Sequence, residues 1–380
     1  MSLSLPIISV ASYLNRTNHN DEERLATSAT LHRACVEYGF FYLDISSFVP
    51  KEETDELERL AHRFFQLPQE VKDQISIENQ DLARGYQRLK QNITMGKADN
   101  HEGIDLYRPV EHPDNHQPLW GENQWPSVDG FRSAYEAWIN KMKALGMIVM
   151  EAMAVGLGMS DNEWGDLKGK VDDSFWCMRI IGQQWSGFPF LHLKLQTIAG
   201  YPPLPANHDG FSCGAHKDYG CLTFLHADST PNALQVFIPK TSPAYHAASA
   251  AVTPSVTGSS LPHEEGSEDG VWLNADPQPG SIVCNIGEMW EIWSRGLYRS
   301  TLHRVIHRGA NYRVSTPFFF EPNYTSYVAP LPAAARAWEE YGHKLAPPAP
   351  GSVLSEPVVY GNWLRSKVTG NFEIGKGRYD

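Results

Sequence analysis

At 380 residues, with 42% apolar and 20% charged side chains, the chain can bury a large core as one big domain or two closely joined ones. Its 32 basic and 44 acidic side chains leave a formal charge of −12, so no basic face is expected for phosphates; nucleic acid and anionic membrane surfaces are excluded as partners. Five cysteines, an odd number with no CxxC pair, indicate neither a disulfide framework nor a zinc knuckle and point to a reducing, cytoplasmic setting.

The N-terminal run MSLSLPIISV has no basic leader and is broken by Pro6, so it reads as a strand and not as a signal peptide. No apolar run approaches the length of a membrane span. Residues 21–38 read as a helix with acids in the first turn and Gly39 as its stop, followed by a strand over 40–45. Residues 51–66 form an amphipathic helix with Leu57, Leu60, Ala61, Phe64 and Phe65 on one side, ended by Pro68. A polar stretch containing Gly85-Tyr86 follows. The spacing of Phe131, Tyr135, Trp138, Met142, Leu145, Val149 and Met153 predicts a long core helix over 126–157, closed by Gly156 and Gly158.

From about residue 174 the pattern changes to short β runs, at 174–181, 221–226, 234–238, 271–274, 281–285, 301–306 and 312–320. Clusters of Gly, Pro, Asn and Asp separate them, as in a sandwich or jelly roll. Two stretches depart from this pattern. Residues 241–270 hold 20 Ala, Ser, Thr, Pro or Gly out of 30, which predicts a surface insertion without a packed core. Residues 182–199 follow no strand period, and removing them would join MRII directly to GYPP, as a retained short intron would allow. The fold class expected is therefore mainly β with helices: a jelly-roll core behind a helical N-terminal region.

The chemistry is carried by residues from two distant segments. His-x-Asp occurs four times, at His19/Asp21, His112/Asp114, His216/Asp218 and His226/Asp228, so the pattern alone is weak. His19 and His112 lie in polar turns, and His226/Asp228 closes a strand; His216/Asp218 enters the run 222–225 through a Tyr-Gly turn. His303, in the β run STLHRV, is the candidate third ligand, although a lone histidine in such a run is more often a packed core residue. Ten residues on, Arg313 and Ser315 alternate by two and so share a strand face, where a guanidinium fork and a hydroxyl can hold a carboxylate. Two histidines and one carboxylate leave adjacent positions open on Fe(II) and favour oxygen chemistry over the hydrolysis that zinc would perform, which stays open as an alternative.

With these blocks in place, the chain resembles the isopenicillin-N-synthase-like group of Fe(II)- and 2-oxoglutarate-dependent oxygenases over nearly its whole length. LPIISV, ACVEYGFFYL, AHRFFQLPQEVK and RGYQ are similar to that family's helical N-terminal region. GAHKDYGCLTFL, LQVFIP, PGSIVCNIGEMWEIWSRGLYRSTLHRV and YRVSTPFFFEPN are similar to its double-stranded β-helix. The resemblance implies His216, Asp218 and His303 as iron ligands, and Arg313, Ser315 and the Tyr201 hydroxyl on the distal carboxylate of 2-oxoglutarate. It implies consumption of O2 with release of succinate and CO2, and oxidation of a small substrate by hydroxylation, desaturation or rearrangement. A 2-oxoglutarate-independent oxidase of the same fold remains the alternative within the family.

The resemblance also implies four parts: a helical region over 1–120, a long support helix within 121–173, the jelly roll over 174–330 with its insertion at 241–270, and a C-terminal helix and tail over 331–380. Tyr86, Asp105, Tyr107 and Phe319 are its candidates for substrate contact, with an apolar or aromatic specialised metabolite as the expected substrate and a monomer as the expected state. Two departures stand out. Asp44-Ile45-Ser46-Ser47 replaces the more usual Asn-His-Gly, and Lys217 replaces the usual Thr between two ligands, where its side chain is expected to face away from them.

Overall fold

The computed structural model describes residues 3–14, 21–94, 97–184, 211–249, 269–308, 311–341 and 356–371. Its first part carries strands β1 (Ile7–Ser9), β2 (Phe40–Asp44), β3 (Gly85–Gln87), β4 (Ile93–Thr94), β5 (Lys97–Ala98) and β6 (Glu102–Tyr107). Between them lie helices α1 (Ala11–Leu14), α2 (Asp21–Glu37), α3 (Lys51–Phe65) and α4 (Gln69–Lys72). The helices α5 (Phe131–Gly156) and α6 (Asp161–Lys168) lead into β7 (Cys177–Gln184), β8 (Phe211–His216), β9 (Leu222–Ala227) and β10 (Leu234–Pro239). There follow α7 (Pro243–Ser249), β11 (Gly270–Asn274), β12 (Ser281–Ile286), α8 (Glu288–Trp293), β13 (His303–Ile306) and β14 (Tyr312–Phe320). The chain closes with β15 (Tyr327–Val328), α9 (Pro332–Tyr341), β16 (Val358–Val359) and α10 (Tyr360–Asn371).

Two sheets form the jelly roll. The larger has eight strands in the order β1-β2-β12-β9-β14-β7-β6-β3, and the smaller runs β11-β10-β13-β8. Four strands of the larger sheet come from the first part of the chain; β1 and β2 fall where strands are expected, while β3 and β6 are not expected from sequence patterning. The reason is visible in β6: all six of its residues are buried, including Glu102 and Asp105, so no apolar alternation marks it. Both carboxylates are compensated by partners remote in the chain, Lys72 and Arg179 respectively.

The apolar stripe of α5 is buried along its length, from Phe131 to Met153. Its Gly146 lets the helix lie directly on β14, since a Cβ there would come within 2.2 Å of the Phe320 ring. The helix begins at Phe131 and not at 126, because Gly130 before it has φ 78°, a left-handed conformation outside any α-helix. In the stretch read as a coreless insertion, α7 folds against β10 and buries Ala244, while residues 250–268 lie outside the described residues. The stretch read as inserted at 182 does not split the strand there: Gly182, Gln183 and Gln184 continue β7 and pair with Val314, Arg313 and Tyr312 of β14.

Side chains on the larger sheet alternate between its faces. Phe318 and Phe320 of β14 turn outward, stacking on Trp176 and packing on α5. Arg313, Ser315 and Phe319 turn inward; opposite them in register stand Gln183, Ile181 and Cys177 of β7.

Candidate metal centre

His216 is the last residue of β8 and His303 the first of β13, and the antiparallel register sets them directly opposite each other. Their ring centroids are 4.3 Å apart. Asp218 lies just past the end of β8, so strand alternation does not place it. Its position comes from its neighbours instead. Its backbone carbonyl accepts from the Glu288 amide (2.9 Å) and the Ser300 hydroxyl (3.1 Å). Its Oδ2 accepts from Thr223 Oγ1 (2.5 Å) and Asn285 Nδ2 (2.7 Å).

These bonds leave Asp218 Oδ1 facing the two imidazoles, 3.6 Å from His216 Nε2 and 3.7 Å from His303 Nε2. Each ring's Nδ1 is hydrogen-bonded to a backbone carbonyl, Gly214 for His216 (2.8 Å) and Thr301 for His303 (3.1 Å). That makes Nδ1 a donor in each ring and turns each Nε2 inward. One donor atom from each residue lies within 4.8 Å of the others, close enough to share one ion. Burial and the adjacent His216 push the His303 imidazole down to about 4, which keeps it neutral and able to ligate at pH 7. Burial alone would raise the Asp218 carboxyl, but His303, His216, Thr223 and Asn285 together hold it below the ordinary carboxylate value. Lys217 reaches away to Glu291 (3.4 Å), as its alternation predicts.

On the inner face of β14 Arg313 is 2% exposed and donates from Nη1 to Gln183 Oε1 (2.8 Å) and Ser315 Oγ (3.1 Å). Its Nε is buried with no hydrogen-bond partner among the described residues. Burial draws the group down to about 10, so it remains a cation at neutral pH. A buried guanidinium with an unused donor, next to a hydroxyl and a cavity lined by Leu225, Thr230 and Val283, suits the distal carboxylate of a dicarboxylic acid. The residues present therefore fit Fe(II) and 2-oxoglutarate together.

Of the other predicted residues, Tyr201 lies outside the described residues. Tyr86 turns to the outer face and donates to Glu102 Oε2 (2.6 Å), which also meets Lys72. Tyr107 is buried, with the Arg84 guanidinium over its ring. Asp105 and Phe319 face inward, on β6 and β14. The competing His-x-Asp pairs are elsewhere: His226 faces α5, beside Trp138, and Asp114 caps the His116 amide in a turn. His19 lies outside the described residues. Sequence reasoning missed Gln183, which sits in the stretch read as inserted, and Thr223 and Asn285, which carried no motif signal.

Two family models match the chain. Residues 5–128 fit the non-haem dioxygenase in morphine synthesis N-terminal model, and residues 239–322 fit the 2OG-Fe(II) oxygenase superfamily. The homoarginine-6-hydroxylase 2-ODD-C23 of Glycine max is 35% identical, with 97% of each chain covered. The homoarginine-6-hydroxylase 2-ODD-233 of Oryza sativa is 33% identical, covering 97% of this chain and 98% of its own. Among solved structures, a full-length Neurospora crassa protein in complex with alpha-KG superposes with a TM-score of 0.68 at 22% identity, with 97% of each chain covered.

Proposed function

This chain belongs to the 2OG-Fe(II) oxygenase superfamily, and on that premise we propose that His216, Asp218 and His303 hold its iron while Arg313 and Ser315 grip 2-oxoglutarate. The protein is a 2-oxoglutarate-dependent dioxygenase with Fe(II), 2-oxoglutarate and O2 as its cofactor and co-substrates, acting on a small molecule. When bound, the metal and 2-oxoglutarate supply the oxidising chemistry, with succinate and CO2 as by-products.

The chain's own residues do the rest. The Gly214 and Thr301 carbonyls orient the two imidazoles, and Thr223 and Asn285 hold the carboxylate to one-point contact. Gln183 steadies the Arg313 fork so that its unused Nε meets the incoming carboxylate. The observation that carries this reading is the convergence of two Nε2 atoms on one carboxylate oxygen, together with a buried Arg313 Nε that has no partner among the described residues.

The relatives' names make L-homoarginine the first substrate to test, in place of the apolar aromatic molecule that composition suggested. A cytoplasmic monomer in specialised metabolism is part of the same proposal. It is supported by five cysteines all free of disulfides and by the −12 charge. No helix among the described residues is long and apolar enough to cross a membrane. The test is anaerobic titration of the purified protein with Fe(II) and then 2-oxoglutarate, watching the visible charge-transfer band of the chelate. Air and candidate substrates are then added while succinate is measured. Absence of both the band and succinate would refute the assignment.

A further inference from the structure

An ion pair on the inner face of the larger sheet has beside it a buried acceptor, Gln87 Oε1, with no partner among the described residues. Asp105 of β6 stands directly opposite Arg179 of β7. One row of the sheet to one side holds Cys177, Phe319 and Thr223, the last of which bonds the ligand carboxylate of Asp218. The row to the other side holds Ile181 and Ser315. Successive same-face positions along a strand are roughly 6.7 Å apart. Along the strands, Arg179 therefore lies at the level between Thr223, which holds the proposed metal carboxylate, and the proposed 2-oxoglutarate hydroxyl of Ser315.

The hydrogen bonds show what such a substrate must offer. Asp105 Oδ1 accepts from Arg179 Nε (2.7 Å) and Oδ2 from Gln87 Nε2 (2.5 Å), so this carboxylate is filled. A carboxylate only accepts, so Gln87 must present its nitrogen to Asp105. Its Oε1 is thereby turned elsewhere, and that atom is buried with no partner among the described residues. Arg179 spends Nη2 on Asn92 Oδ1 (3.3 Å), while no described residue engages Nη1. A purely structural ion pair would not leave a buried acceptor such as Gln87 Oε1 without a partner among the described residues.

We propose that Arg179 and Gln87 form a head-group site for a free α-amino acid, Arg179 taking the carboxylate and Gln87 Oε1 the ammonium, with Asp105 as the positioning residue between them. The proposal rests on the oxygenase reading and deepens it by naming the residues that hold the head group of such a substrate. Burial raises the Asp105 carboxyl, and Arg179 counters it by charge and by hydrogen bond.

The test is anaerobic calorimetry of the full chain loaded with Fe(II) and 2-oxoglutarate. The probes are L-homoarginine, L-arginine, L-lysine and L-glutamate, then the decarboxylated and the desamino counterpart of whichever binds best. In the wild type, loss of the carboxylate should weaken binding about 10- to 100-fold, as expected for a charge-assisted bond. In Arg179→Gln that preference should collapse to within about threefold, with Arg179→Lys intermediate and serving as the readout if the glutamine variant does not fold. Gln87→Leu should weaken the amino acid more than its desamino counterpart. Equal binding of acid and amine by the wild type, equal weakening of both by Arg179→Gln, or failure of every amino acid to bind would overturn the proposal. Succinate release by the wild type in air distinguishes the two failures. With succinate but no amino-acid preference only the head-group site falls; with no succinate the oxygenase site falls as well.

Discussion

Glu321 gives a prediction whose size follows from its surroundings. It follows β14 and is 4% exposed, with the Cys221 amide donating to Oε2 (2.7 Å) and Tyr360 of α10 hydrogen-bonded to it. Among the described residues no cation lowers its carboxyl. Burial, with a smaller push from Asp218, raises that carboxyl from the 4.5 of a free glutamate to about 8. The folded state therefore holds a proton that the unfolded chain releases between these two values. Stability is unaffected below about pH 4.5, falls as pH rises through the window, and bears the full penalty above about pH 8. A gap of this size corresponds to about 5 kcal/mol, of which about 4 kcal/mol falls between about pH 5 and about pH 8.5. Glu321→Gln mimics the protonated side chain and keeps the bond from Cys221. Urea unfolding of both metal-free proteins at the two pH values isolates the effect from every other titrating group. The variant should gain about 4 kcal/mol on the wild type between the acid and the alkaline condition. If the two stabilities move in parallel with pH, Glu321 is ionised in the fold and the reasoning fails.

Three further outcomes are expected. His303→Ala should lose Fe(II) binding, measured anaerobically by metal analysis after desalting, and with it all turnover, because one carboxylate and one imidazole remain. Arg313→Ala should raise the Kd for 2-oxoglutarate about 10- to 100-fold, the worth of a charged hydrogen bond to a buried carboxylate, while leaving Fe(II) uptake measurable. Gly146→Ala should lower the Tm: helix propensity favours alanine by about 1 kcal/mol, but overpacking against the Phe320 ring costs about 1–3 kcal/mol.

Chain-local signals in the sequence sufficed for the motifs. The spacing His216-x-Asp218, the distant His303 and the alternation of Arg313 and Ser315 together mark candidate ligands and a candidate carboxylate grip, because metal ligation needs particular side chains whatever surrounds them. The heptad-like stripe of α5 was legible for a similar reason: one buried helical face repeats every three or four residues. What stayed hidden was everything set by pairing between remote segments. β3 and β6 join the larger sheet through polar residues whose partners lie far off in the chain, as Arg179 does for Asp105 and Lys72 for Glu102. The partners of the site, Thr223 and Asn285 on Asp218 and Gln183 on Arg313, are ordinary residues made functional only by strand register. A register shift of one residue would turn each to the opposite face, and no local periodicity records which register is taken. Residue type and spacing therefore determine what chemistry the chain can do; the folded sheets decide which carboxylates, amides and arginines stand together to do it.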